Sequence, residues 1–216
     1  MNLLTWTRNA VPAALLLALP AAHADILVDN LAQPIRDTSV LPSSLWAAQS
    51  FVTASDAVRL NSIEIPIGLA VGGPSIFAQL HADAGPLQVG ATLATFVLPV
   101  LATGALQLEF LPAVPALELA PGTTYWVVLG VVGDGSFGWS YAQGIASSGP
   151  GTLANYAYST NSGATWLDFG NEDPYHLRVN VSAVPEPGTA ALWMAGLFVA
   201  ASLVRRRSSR AALGAS

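Results

Sequence analysis

The sequence predicts an all-β domain, a single antiparallel β-sandwich or jelly roll, held between two terminal targeting segments. Three observations carry this. Apolar residues alternate with polar ones at period two in several runs, turn residues separate nearly all candidate strands, and the middle of the chain has no long amphipathic helical pattern and no internal repeat. Of the 216 residues, 52% are hydrophobic and 10% charged. An ordinary soluble domain carries about 25% charged residues, so part of the chain is not written for water. Much of the apolar excess lies in the two ends.

Residues 1–24 read as a secretory signal peptide. Arg8 is the one charge there, the run Ala13–Leu19 has the length of a signal h-region, Pro20 breaks it, and Ala22-His23-Ala24 gives a small-x-small cleavage site with Ala22 and Ala24 in the small positions. With Val11 and Pro12 before it, that apolar core is about half the ~20 residues a spanning helix needs. The mature chain is expected to begin at Asp25.

Between residues 25 and 184 the strands follow in order. Ile26–Asp29 comes first, then Leu45–Thr53. Next, Ile63, Ile65, Ile67 and Leu69 alternate with Ser62, Glu64, Pro66 and Gly68, and Pro66 predicts an edge strand or a bulge. Ser75–Ala82 and Ala91–Leu98 precede a run in which Leu106, Leu108 and Phe110 alternate with Ala105, Gln107 and Glu109. Thr124–Val132 is apolar on both faces, as a central strand would be. Ser136–Gln143, Asn155–Thr160 and Thr165–Phe169 are shorter. In the last strand Tyr175, Leu177, Val179 and Val181 point inward, which sets His176, Arg178, Asn180 and Ser182 on a wet face. Turns such as Gly72-Gly73-Pro74, Pro121-Gly122 and Asn161-Ser162-Gly163 lie between them. About ten short strands at this spacing make a sandwich.

Charge and composition exclude several functions. The chain has no cysteine and no lysine, so disulfides, thiolate metal sites and cysteine nucleophiles are absent. Residues 25–184 hold Arg36, Arg59 and Arg178 against twelve carboxylates, a formal charge of −9. That surface argues against nucleic acid and other polyanions.

No catalytic constellation stands out. Gly135-Ser136-Phe137-Gly138 lacks the spacing of a nucleophile elbow, and His81 and His176 have no metal-ligand spacing to each other. Neither a cofactor nor an enzymatic activity is expected. Asp168, Asn171, Glu172 and Asp173 cluster oxygen ligands of the kind Ca²⁺ uses, but without an EF-hand pattern, and acidic turns of this sort are mostly just solvated. Trp126, Trp46 and Phe51 read as core or rim. In the turn-rich second half, Trp139, Tyr141 and Trp166, with Tyr156 and Tyr158 near them, are candidates for stacking on sugar rings, with Gln143, Asn155 and Asn161 as hydrogen-bonding neighbours. Ordinary sandwich packing is the competing use of the same rings.

The C-terminus, 185–216, carries Pro185-Glu186-Pro187, an uncharged helical stretch 189–204, and the cluster Arg205-Arg206-Arg207 with Arg210, a tail over 205–210 that marks the cytoplasmic side. The helix Ala190–Val204 rises about 22 Å, short for a bilayer core of about 30 Å. This tail resembles the PEP-CTERM sorting signal of Gram-negative bacteria. The resemblance implies a transmembrane intermediate in the inner membrane, processing by an exosortase-type protease after signal peptidase, and release toward the cell surface. In residues 25–184, Trp46-Ala47-Ala48-Gln49-Ser50-Phe51, the strand and turn Ser75–Pro86, and Leu119–Leu129 resemble choice-of-anchor domains, most nearly the R type, which bring no catalytic residues. The expectation is an exported cell-surface or secreted matrix protein of the exopolysaccharide or biofilm kind, structural or interacting. A carbohydrate-binding module for a neutral polysaccharide is the alternative. A plain membrane-anchored periplasmic domain and a glycan-active enzyme stand behind it.

Overall fold

The computed structural model describes residues 25–85, 88–96, 107–168, 170–184 and 196–197. The predicted cleavage residues Ala22 and Ala24, the motif Pro185-Glu186-Pro187 and the arginines Arg205, Arg206 and Arg207 lie outside them. Of the predicted tail helix, Gly196 and Leu197 are described, and both are helical.

The described residues between 25 and 184 are all-β, with two antiparallel sheets packed face to face. Twelve strands are described: β1 (Asp25–Asp29), β2 (Ile35–Pro42), β3 (Trp46–Val52), β4 (Val58–Val71), β5 (Ser75–Asp83), β6 (Val89–Phe96), β7 (Gln107–Leu119), β8 (Thr124–Val132), β9 (Ser136–Ala142), β10 (Thr152–Ser159), β11 (Leu167–Asp168) and β12 (Arg178–Ala183). In the first sheet β4 is central. β7 pairs along one side of it, and β12 and β9 lie end to end along the other, with β1 outside β12 and β2 outside β9. The second sheet runs β6-β5-β8-β3-β10-β11. β7 joins the two, pairing with β4 over most of its length and with β6 through Ala113 and Val114. The free margins, β2 and β1 on one sheet and β11 on the other, are therefore the ends farthest from β7 in strand order.

Period two fixes which side chains meet between the sheets. Ile63, Ile65 and Ile67 of β4 face Phe51 of β3 and Tyr125, Val127 and Leu129 of β8 in one core, joined by Leu177, Val179 and Val181. β8 is buried on both faces, as its unbroken apolar run predicts. Its other face, with Trp126 and Val128, forms a second cluster with Ala48 and Ala157 on the outside of the sheet, covered by Trp46, Phe77, Val89 and Trp166. Gly130 makes room for that cover. A Cβ there would lie 2.6 Å from ring atoms of both Trp46 and Phe77, which pack edge to face at 4.6 Å. The Pro121-Gly122 turn is closed by the Ala120 N–H donating to Tyr125 Oη at 2.9 Å.

Three expectations need correction. Pro66 marks neither an edge nor a bulge. β4 is paired on both sides, and Pro66 falls where its neighbour changes from β12, last paired at Glu64, to β9, first paired at Ile67. The missing N–H costs no ladder bond in that gap. β2, unforeseen, pairs with β9 as a margin strand whose one fully buried residue is Leu41, so it shows no alternation to read. The wet face of β12 and its approach is not all wet: His176 and Ser182 are buried, and Arg178 is half-buried between Asp29 and Glu64.

Candidate functional site

The site is built on the segment 173–177, which leads from the last turn into β12. Pro174 ends the turn and fixes the entry to an extended backbone. Tyr175 then bridges Tyr141 of β9, flanked by two backbone bonds: Ala142 N–H to the Pro174 carbonyl at 2.9 Å and His176 N–H to the Ser140 carbonyl at 3.0 Å. The peptide groups of Tyr175 itself are held by side chains. Gln49 Oε1 accepts its N–H at 2.9 Å, and Asn30 Nδ2 donates to its carbonyl at 3.2 Å. Both amides are fully buried. A buried peptide without partners would cost roughly 1–3 kcal/mol per group, so these two side chains decide where the tyrosine sits.

Behind Tyr175 lies Trp139, its ring stacked on the tyrosine at 4.3 Å and 21°, its indole N–H donating to the His176 carbonyl at 3.0 Å. On either side stand Tyr141 at 6.2 Å and Tyr156 at 6.0 Å, their planes turned 85° and 87° from that of Tyr175. The result is a floor with two upright walls. Tyr158 and Leu45 extend the lining from the second sheet, and Ser39 and Asp173 from the first sheet and its turn, around a cleft of about 320 Å³. Four of the chain's five tyrosines line it.

The cleft is electrically balanced. Arg36 Nη1 donates to both carboxylate oxygens of Asp173, and the carboxylate holds the guanidinium above its ordinary pKa, first by hydrogen bond and then by charge. Burial pushes the Tyr175 phenol up, and its hydroxyl donates to Ser39 Oγ at 3.2 Å. That phenol is therefore neutral at neutral pH. The remaining arginines are also paired, Arg59 with Glu118 and Arg178 with Asp29 and Glu64. No arginine of residues 25–184 is left without a carboxylate.

The predicted stacking residues fall in three places. Tyr141 is a wall of the cleft. Trp139 shares its side of β9 but is fully buried, two residues deeper, where β9 pairs with Ile67 of β4, so it braces the floor and cannot touch a sugar. Trp166 packs on the outer face of the second sheet, away from the cleft. Asn161 is spent on its own turn, accepting from Ser159 Oγ and the Thr165 N–H. Of the candidate calcium ligands, Asp173 is paired with Arg36, Asn171 and Glu172 are exposed, and the side chain of Asp168 lies outside those described. Among the described residues no three of His, Cys, Asp or Glu converge.

Both histidines of residues 25–184 serve structure. His176 Nε2 lies 3.1 Å from the Gln33 carbonyl and so donates to it, which leaves Nδ1 to accept from Ser140 Oγ at 3.0 Å. His81 Nδ1 donates to the Gly90 carbonyl at 2.8 Å. Desolvation lowers the pKa of each, only partly opposed by those carbonyls.

Compared with protein families, with characterised proteins and with solved structures, the chain matches none. Sequence reasoning passed over Tyr175, Gln49 and Asn30 as site residues. Gln49 carried a signal, the one amide in a mostly apolar strand, whereas Asn30 after β1 carried none.

Proposed function

We propose that this chain is an exported cell-surface or extracellular protein whose β domain is an interaction module, not an enzyme, and whose C-terminus is a sorting signal removed by an exosortase-type protease. The observation that supports the reading is the closeness, within the fold, of the two expected processing points. The described core and cleft lie within residues 25–184, so cuts after Ala24 and beyond Val184 would leave both in place. β1 and β12 are also antiparallel neighbours, Asp25 facing Val181, which brings both junctions to one end of the domain. Such a domain keeps its core and its cleft after both cuts.

An interaction role is supported by the cleft, whose size and aromatic lining suit a small ligand. A catalytic role would be served by a free carboxylate in the cleft, and the carboxylate that lines it, Asp173, is held by Arg36. Intact-mass measurement of the protein from its native host tests the processing. The expected species starts at or next to Asp25 and lacks residues 189–204. A mature surface species that retains the arginine cluster would reduce the tail to a plain anchor.

A further inference from the structure

We propose that the cleft between Tyr141, Tyr156, Tyr158 and Tyr175 is a binding site for a neutral saccharide ring, held by its C–H face against the tyrosine walls and by its hydroxyls to phenol and serine oxygens. The inference rests on the reading of the domain as an interaction module and names the ligand class of that same site. Three properties of the cleft select this class.

The first is surface chemistry. Each wall offers an apolar ring with a hydroxyl at its tip, and Ser39 adds another, so the lining alternates carbon faces with groups that both donate and accept. A sugar ring has the complementary make-up, apolar C–H faces rimmed by hydroxyls. A purely apolar ligand would make no use of the hydroxyl oxygens, and a flat polar one would waste the ring faces.

Charge is the second. An aromatic box beside a carboxylate would ordinarily suit a cation, but Asp173 gives both its oxygens to Arg36, which would also repel one. An anion finds no unpaired arginine and meets a domain of formal charge −9. A neutral ligand is left.

Preorganisation is the third. Tyr175 is stacked on Trp139 and tied by Gln49 and Asn30, so the floor is set before a ligand arrives and little ordering entropy is lost on binding. The rigid floor and upright walls fix the orientation of a ring entering between them.

The test uses the full chain, purified in a detergent without a sugar headgroup, with calorimetric titration of cellohexaose, mannohexaose, galactohexaose, hexa-galacturonate and choline. At least one neutral oligosaccharide should bind, and the galacturonate and choline should not. Tyr158→Ala should weaken that binding about tenfold by removing an aromatic ring from the lining. Tyr141→Phe, which keeps the ring, should weaken it about threefold or more, while Trp166→Ala on the outer face leaves it unchanged. Thermal melts establish that each variant is folded. No binding of any neutral oligosaccharide, binding of choline or the galacturonate instead, or affinity indifferent to both tyrosine variants would overturn the proposal. Because the assay does not depend on cleavage, failure of the processing test and failure of this one are separate results.

Discussion

Gln49 Oε1 accepts the backbone N–H of Tyr175 at 2.9 Å, and that bond crosses the sandwich interior from β3 in one sheet to the chain entering β12 in the other. The amide's nitrogen is spent on its own sheet, on the Ser50 carbonyl at 3.0 Å and toward the Ala154 and Asn155 carbonyls of β10. One buried side chain therefore sets the spacing of the two sheets where the cleft opens.

Replacing Gln49 with Leu keeps the volume and strands the Tyr175 N–H. The expected loss is about 1–3 kcal/mol, read from urea unfolding. Near-UV circular dichroism should lose the signal of the Trp139–Tyr175 stack more than it loses far-UV signal. Unchanged stability and an unchanged near-UV spectrum would show that water or another group replaces the amide.

Gly130 tests the second cluster. A Cβ would meet ring atoms of Phe77 and Trp46 at 2.6 Å, so Gly130→Ala forces that ring pair apart. About 1–3 kcal/mol of destabilisation is expected from overpacking, although alanine is otherwise the better strand residue. A neutral or stabilising outcome would mean that the rings do not lie over this strand.

The histidines give the domain a pH dependence of known sign. Both have pKa values lowered in the fold from an ordinary 6.5 by burial. Near that pH the unfolded chain binds more protons than the folded one, so stability rises with pH there. Their contribution is fully present above about 6.5 and is lost as pH falls from there through the folded pKa values. Tm should therefore decline between pH 6.5 and 5, and His176→Gln, which can still donate to Gln33 and accept from Ser140, should flatten the decline. A Tm that climbs on acidification across that interval, or a slope untouched by the substitution, contradicts the assignment of a buried neutral ring.

The fold was legible where period two was regular. Ile63, Ile65 and Ile67 and the series Tyr175 to Val181 point inward as their spacing requires. β2 was illegible because a margin strand with one buried residue has no pattern, and Pro66 misled because sequence does not show a gap between two end-to-end neighbours. The site was harder. Trp139 and Tyr141 have the same parity on β9, so sequence could assign them a side but not a depth. Depth comes from the 173–177 crossing, which buries Trp139 behind Tyr175 and leaves Tyr141 at the mouth. That crossing is held by two side-chain amides whose partners lie 126 and 145 residues away.

The five tyrosines allow the central claim to be tested directly. Four line the cleft, and the fifth, Tyr125, sits in the core against Phe51, its hydroxyl accepting from Ala120. With the chain labelled by 3-fluorotyrosine and each ¹⁹F resonance assigned by Tyr→Phe substitution, the neutral oligosaccharides are titrated one at a time. The account predicts that a bound oligosaccharide moves the resonances of Tyr141, Tyr156 and Tyr158 in a saturable way and leaves Tyr125 in place. Five resonances that stay still through every titration, or movement confined to Tyr125, would contradict it.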